Sequence, residues 1–127
     1  MVTISLKNMM GTMPKSEMQR FHRVNLSQCI ADLNTLIKPD LSVVDATYVM
    51  TRTGPTGGDM VEISTIMASG DPVAVSRLAA QKLEELEERV ELPLFKASNV
   101  KHIKAAADLG VGTSNFDDMI IIKEFLS

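Results

Sequence analysis

Side chains that are able to do chemistry lie in three places along the chain, and the first is residues 7–11. Lys7, Asn8 and Gly11 follow a short segment in which apolar and polar residues alternate. A lysine can hold an anion, an asparagine amide can donate or accept a hydrogen bond, and a glycine lets a ligand approach the backbone closely. The spacing alone favours a surface lysine and a turn asparagine over a ligand site.

The second place is a glycine-rich stretch at residues 51–59, with the sequence TRTGPTGGD. It is longer than the two to five residues that a hairpin connection needs, and the backbone N–H groups of such a loop can form an anion-binding nest. Asp59, rather than a lysine, follows the paired glycines, so the stretch does not match the phosphate-binding loop of NTPases. An unliganded hairpin connection is the alternative. The candidate ligand-binding residues here are Arg52, Thr53, Gly54, Thr56, Gly57 and Gly58.

The third place is His22, with Asp45 and Asp71 as companions. Asp45 interrupts an apolar segment, and a buried carboxylate has to be paired or bound to something. These three residues are the metal-ligand candidates, although their spacing matches no metal motif. His22, Asp45 and Lys7 are also the candidates for catalysis. We interpret His102 as an exposed residue on the outer face of a helix.

Composition limits the classes of function. Cys29 is the one cysteine of the 127 residues, so the chain by itself can form neither an internal disulfide nor a cysteine-ligated iron–sulfur cluster. The net charge of −3 argues against a general nucleic-acid binder. No apolar run reaches the length of a membrane span, and no signal peptide opens the chain, so we expect a cytoplasmic protein without a membrane partner.

Periodicity predicts the elements that position these residues. We expect strands at about residues 2–6, 41–49, 61–68 and 119–126, and helices at about 26–38, 72–90 and 99–109, with residues 7–23 irregular. Asn25 and Asp71 are predicted helix caps, and Gly110 is a predicted helix end. The order predicts a single α/β domain over residues 1–127: a sandwich with a mixed, mostly parallel sheet of about four strands and about three helices.

Six motifs in order carry a family resemblance: SLKNMMG, KSEMQRFH, IKPDLSVVDA, TGPTGG, IMASGDPVAV and AADLGVG. The series, over about residues 4–122, resembles domain-of-unknown-function family 362. The resemblance implies that the chain is the carboxyl-terminal part of a longer family domain. It also implies a partner, a ferredoxin-type module with a four-iron four-sulfur cluster, whose cysteines lie outside this chain.

The resemblance places family site residues on Lys7, Asn8, Gly11, Lys15, His22, Asp45, Gly54, Pro55, Gly58, Asp71 and Pro72. Two positions depart from the family pattern, because Ser76 stands where an acid is usual and Ala46 where a glycine is usual. If that acid ligates a metal in relatives, the ligand is absent here.

Three functions remain open at this point. The first is a module that binds a small anion or a metal and works beside an iron–sulfur electron-transfer partner. The second is half of an enzyme active site, with His22 or Asp45 as general base and Lys7 stabilising negative charge. The third is a protein-interaction domain without a ligand.

Overall fold

A computed structural model describes residues 2–52, 57–89 and 96–126 of the chain. In chain order its helices and strands are α1 (Ser5–Asn8), α2 (Lys15–Arg23), α3 (Leu26–Leu36), β1 (Ser42–Thr51), β2 (Asp59–Ser69), α4 (Pro72–Arg89) and α5 (Lys101–Asp108). Short 3₁₀ helices lie at Met9–Thr12, Ala97–Asn99 and Phe116–Asp118.

The two strands form an antiparallel ribbon. Their register runs from Ser42 opposite Ser69 to Thr51 opposite Asp59. Between Ala46 and Tyr48 the register shifts by one residue, and Ser64 on β2 has a positive φ of 46°. An extra residue on one strand of a pair is a β-bulge, which bends the strand and increases its twist.

The predicted mixed, mostly parallel sheet of four strands with three helices is wrong, although the mixture of helix and strand is confirmed. Within residues 2–52, 57–89 and 96–126 there are two strands and five helices, apart from 3₁₀ turns. The predicted second and third strands are the two that form. They are consecutive and pair directly, so they run antiparallel and need no crossover connection.

The first predicted strand does not form: residues 2–4 belong to neither a strand nor a helix, and helix α1 begins at Ser5. The alternation in residues 2–6 indicates a strand, but Val2, Leu6 and Met10 also recur at every fourth position, and all three are buried. Spacing of four places side chains on one face of a helical segment. The same period explains why part of the predicted irregular region is helical.

Helix α2 was also missed, and it lies wholly within the predicted irregular segment. It has no buried residue, and only Met18 and Phe21 pack against the core. Two apolar contacts in nine residues give too weak a periodic signal to identify a helix from sequence.

The last predicted strand, residues 119–126, is neither strand nor helix in the structure. Ile120, Phe125 and Leu126 are each more than nine-tenths exposed. Strand propensity depends on a neighbouring strand, and no strand of the described ranges pairs with this segment. We call residues 119–126 the tail.

The predicted helix boundaries are largely correct. The Asn25 side chain accepts a hydrogen bond from the Gln28 backbone N–H at the start of α3. Helix α4 begins at Pro72 and continues to Arg89, whereas its predicted end at Val90 lies outside the described residues. After α5, Gly110 has a φ of 76°, the left-handed conformation of a helix end.

Two apolar clusters hold the elements together. The larger one joins α1, α3, α5 and the 3₁₀ segments around Leu6, Ile30 and Ile103. The smaller one packs α4 against one face of the ribbon, with Ala46, Met67, Val75 and Ala79 buried and Ile4 packing against both clusters. Helix α1 therefore connects the helical layer to the ribbon.

Asp71 joins the start of α4 to residues 111–113. One carboxylate oxygen accepts the backbone N–H groups of Val73 and Ala74, and the other accepts the N–H of Thr113 at 2.9 Å. A methyl group on Gly112 would overlap this carboxylate. A glycine is required here because the backbone passes directly over the capping side chain.

Candidate functional site

A cleft of about 910 Å³ lies beside β1 and is the candidate site. It is bounded by β1, by the second half of α4, by residues 2–7 and by the residues that lead into α5. Its floor is apolar, because it adjoins the smaller cluster through Ala46, Met67 and Ala79. A volume of this size suits a substantial small-molecule ligand.

Positively charged side chains outnumber acids around the cleft, in a chain whose net charge is −3. The cations that line it are Lys7, Arg52, Lys82, Lys96 and Lys101, and the acids are Asp45 and Glu87. A cleft that is lined by one sign of charge concentrates ligands of the opposite sign. By count, the charged residues that line the cleft are more positive than the chain as a whole.

Three of these cations are already paired. Arg52 bonds Asp59 at 2.9 Å, Lys82 bonds Glu85 at 2.9 Å, and Lys96 bridges Glu84 and Glu88 at 2.8 and 3.0 Å.

Lys7 and Lys101 form no ion pair with any side chain in the described ranges. The Lys7 ammonium donates instead to the Thr3 hydroxyl at 3.0 Å. These two lysines are the cations most available to a ligand.

His102 lies at the wall of the cleft and is only 1% exposed. Its Nε2 is buried and has no hydrogen-bond partner among the described residues. Burial, with a contribution from the nearby Lys7 cation, lowers the pKa of His102 to about 4. The ring is therefore neutral at pH 7. A ligand in the cleft would provide the hydrogen-bond partner that the buried nitrogen lacks.

Glu87 is the second buried ionisable group at the cleft. Its Oε2 has no hydrogen-bond partner in the described part of the chain, and burial raises the pKa of its carboxyl. Because it belongs to α4, it approaches the cleft from a different element than His102 does. A carboxyl whose proton is held more tightly than usual can donate a hydrogen bond.

The start of α5 opens on the same cleft. Asn99, Val100, Lys101 and His102 all line it, and Val100, at the N-cap position, provides no side-chain cap. The first backbone N–H groups of a helix have no partner within the helix and carry partial positive charge, so they attract anions. The unpaired nitrogen of His102 lies in this same first turn.

Among known families, the chain matches the one described as Domain of unknown function (DUF362), over residues 1–81. The match covers more than half of the 127 residues. The chain belongs to the DUF362 family. No curated protein and no solved structure matches it.

The DUF362 match covers only part of the cleft. Lys7, Asp45 and Arg52 lie within the matched residues, whereas Glu87 and His102 lie after residue 81. The family-model match therefore does not extend to these two buried groups.

Lys7, Asp45 and Arg52 are the predicted site residues that the structure brings to the cleft. Asp45 is exposed rather than buried, and its carboxylate accepts the Thr47 N–H and hydroxyl at 2.9 and 2.6 Å. These bonds lower the pKa of Asp45, with the Thr47 hydroxyl as the larger cause. The hydrogen-bond partner that we expected for the Asp45 carboxylate is therefore supplied by its own strand.

Asn8, Gly11 and Lys15 do not line the cleft. Asn8 is exposed at the end of α1, Gly11 is exposed in the following 3₁₀ helix, and Lys15 is exposed at the start of α2. The spacing of these three residues in the sequence does not place them on the side of α1 on which Lys7 lies.

Much of the predicted glycine-rich site cannot be placed, because Thr53, Gly54, Pro55 and Thr56 lie outside the described residues. Gly57 has a φ of 85° and Gly58 is half-buried. Arg52 has a positive φ of 72° and pairs with Asp59 across the connection. The described ends of the connection are therefore held together by an ion pair.

The three predicted metal ligands lie on separate elements. His22 is exposed on α2, Asp45 lies on β1, and Asp71 caps α4 with its carboxylate engaged by three backbone N–H groups. Over residues 2–52, 57–89 and 96–126, no group of three or more His, Cys, Asp or Glu side chains is arranged to hold a metal ion.

The interpretation of His102 as a surface residue is wrong. Helix α5 buries His102, Ile103 and Ala106, and these positions recur at spacings of one and three. Counting this face from Ile103 and Ala106 would have placed His102 beside it. Glu87 was missed because it lies in a run of glutamates that resembles a solvated helix face.

None of the helices in the described ranges combines the length and the apolar composition that crossing a membrane requires.

Proposed function

We propose that the chain binds a small anionic ligand in the cleft, at the start of α5. The observation that carries this proposal is that two lysines which form no ion pair within the described residues, Lys7 and Lys101, line the cleft together with the uncapped first turn that holds His102. Charge-assisted hydrogen bonds from lysine and backbone N–H groups are the usual means of holding an oxyanion.

Each group has a distinct role in this proposal. Lys7 and Lys101 neutralise the anion, and the first N–H groups of α5 orient it. His102, neutral at pH 7, contributes one ring nitrogen whose state as donor or acceptor is set by the proton on the other nitrogen. The apolar floor of β1 and α4 holds the uncharged part of the ligand.

The test is a titration of the full chain with inorganic phosphate, followed by the NMR shifts of backbone amides. We expect shifts at Lys101 and His102 that saturate, and an affinity at least about tenfold weaker in Lys7→Gln, since one charge-assisted contact is worth about 1.4 kcal/mol or more. Lys38→Gln removes an exposed lysine outside the cleft and serves as the control. Equal affinity in the two variants would contradict the proposal.

A second candidate function is acid–base catalysis in the same cleft. It is favoured by the presence of His102 and Glu87 on two of its walls, each with an unpaired polar atom. A neutral histidine can accept a proton, and a carboxyl with a raised pKa can supply one. In this candidate they take the roles first considered for His22 and Asp45.

A partnership with a ferredoxin-type iron–sulfur module remains a prediction that depends on the family resemblance. A purified mixture of the chain with a reduced four-iron four-sulfur ferredoxin tests it directly. We expect the chain and the ferredoxin to associate, and we expect phosphate to affect that association. If the two do not associate at low ionic strength, the prediction is wrong.

A further inference from the structure

The cleft follows the free edge of β1. Eight of the nine residues at 44–52 line it, and only Ile63 and Met67 do so from β2. Successive side chains of a strand point to opposite faces, so a cleft over one face would touch every second residue. Contact with nearly all of them indicates that the cleft extends from the α4-packed face of the ribbon to the outer edge of β1, where β1 has no partner among the described strands.

The tail has the features of a strand that lacks a neighbour. Ile120, Ile122, Phe125 and Leu126 are between 81% and 97% exposed, although the sequence MIIIKEFL has a high strand propensity. Two exposed carboxylates, Asp117 and Asp118, precede it directly.

The tail and the edge match in length and in charge. At about 3.3 Å per residue, residues 44–52 and the tail each extend for roughly 25 Å. Asp117 and Asp118, which precede the tail, are complementary in charge to Lys7 and Lys101, and the apolar side chains of the tail suit a floor that contains Val44, Val49 and Leu83.

We propose that the cleft receives residues 117–126 of a second copy of this chain, paired as an added strand on the free edge of β1. The inference rests on the proposed function and deepens it, because the bound anion is then a carboxylate carried on an extended polypeptide. Unpaired strand edges are the surfaces on which extended peptides add, and backbone hydrogen bonds supply much of the affinity.

Reciprocal exchange gives a closed dimer, since each copy provides one tail and one cleft. An added strand turns alternate side chains to the cleft, so Ile120, Ile122 and Leu126 would be covered. At roughly 100 Å² for each of them, two tails remove on the order of 600 Å² of apolar surface from water. The clefts lose a similar area, so the total is on the order of 1,200 Å², the lower end of the range for a specific interface.

The mass of the full chain in solution tests the inference, measured by sedimentation from about 10 μM to about 1 mM, a range that covers weak dimers. We expect the mass to rise towards twice 13.9 kDa. The full-length double variant Ile120→Ser/Ile122→Ser should remain monomeric, because it loses two apolar contacts at positions that are exposed in the single chain. Lys123→Gln is the matched control within the tail and should dimerise.

A synthetic peptide of residues 117–126 provides the second measurement. It should dissociate the dimer, whereas the same peptide N-methylated at alternate amides should not, because it cannot form the ladder of hydrogen bonds. A full chain that stays monomeric at about 1 mM, or a dimer that persists in the Ile120→Ser/Ile122→Ser variant, overturns the inference.

The phosphate titration separates the two ideas. A monomeric chain that still binds phosphate at Lys101 and His102 overturns the strand inference and leaves the proposed function standing. Loss of both phosphate binding and dimerisation contradicts both.

Discussion

His102 and Glu87 are the two side chains whose placement most needs an explanation. Each is buried, lines the cleft and has one polar atom without a partner in the described part of the chain, whereas Asn34, whose Oδ1 also lacks a partner there, does not line the cleft. An unpaired buried polar atom costs roughly 1–3 kcal/mol, which folding alone gives no reason to retain. A ligand that enters the cleft would supply the missing partners, so we interpret this cost as the mark of a site.

The pH dependence of stability follows from His102. Its pKa is lowered to about 4 in the folded chain, against 6.5 for the ordinary group, so between these values the unfolded chain binds more protons. Stability therefore decreases as the pH falls from 6.5 to 4, by up to about 3 kcal/mol from this residue. Denaturant unfolding of the native chain and of His102→Gln should show this decrease in the first and not in the second.

The control for that measurement is His22→Gln, which removes an imidazole from an exposed position of α2. Glu87 acts in the opposite direction, since a carboxyl with a raised pKa loses stability as the pH rises. The difference between the two histidine variants isolates the His102 contribution, and an unchanged slope in His102→Gln would show that the ring is not buried.

At the scale of elements, Glu84 fixes the position of α5. One carboxylate oxygen accepts the Ala97 backbone N–H at 2.7 Å, and the other meets Lys96 at 2.8 Å. Hydrogen bonds from Lys96 and Ala97 lower the pKa of Glu84, and the hydrogen bond to Glu84 is the main cause that raises the pKa of Lys96 to about 12. The 3₁₀ helix before α5 is thereby held to α4, and with it the wall of the cleft that contains His102.

Glu84→Ala should loosen this wall. We expect a loss of about 2 kcal/mol, because a buried charge-assisted hydrogen bond is removed and the Ala97 N–H loses its partner. Hydrogen exchange should accelerate at residues 97–104 more than in the ribbon. Glu88→Ala breaks the other, mostly exposed contact of Lys96 and should cost less than about 1 kcal/mol. Similar exchange in both variants would refute the anchoring role.

The sequence predicted elements well where local signals agreed and poorly where they competed. Asp71 and Pro72 correctly located the start of α4, because a cap and a first-turn proline act locally. The alternation in residues 2–6 indicated a strand, but α1 begins at Ser5 and buries Leu6 in the core. Lys7 was found because its chemistry is visible in sequence, whereas His102 was missed because its neighbour Lys101 suggested an outer face, although Ile103 and Ala106 mark the buried face beside it.

At the scale of the molecule, α1 has an importance beyond its four residues. Leu6 is fully buried in the larger cluster, its backbone N–H meets the Ser76 hydroxyl of α4 at 3.4 Å, and its carbonyl accepts from the Asn34 amide of α3 at 2.9 Å. Ser5 in turn bonds Ser42 at the start of β1 at 2.7 Å. One short helix thus contacts α3, α4 and the ribbon.

Leu6→Ala should therefore be among the most damaging truncations. Removing a fully buried leucine costs about 2–5 kcal/mol, and here the cavity lies where three elements meet. Leu36→Ala is the matched control, since Leu36 is 82% exposed and should change stability by less than about 0.5 kcal/mol. Thermal unfolding of both variants tests this prediction. Comparable midpoint temperatures of the two variants would show that α1 is peripheral.

The close passage of the backbone over Asp71 has a consequence for how this sequence can change over time. A side chain at position 112 and a carboxylate at position 71 compete for the same space, although the two positions are 41 residues apart. Their substitutions are therefore energetically coupled rather than additive. A larger residue at position 112 is tolerated only after position 71 has acquired a shorter side chain. The two positions are therefore expected to change together during evolution.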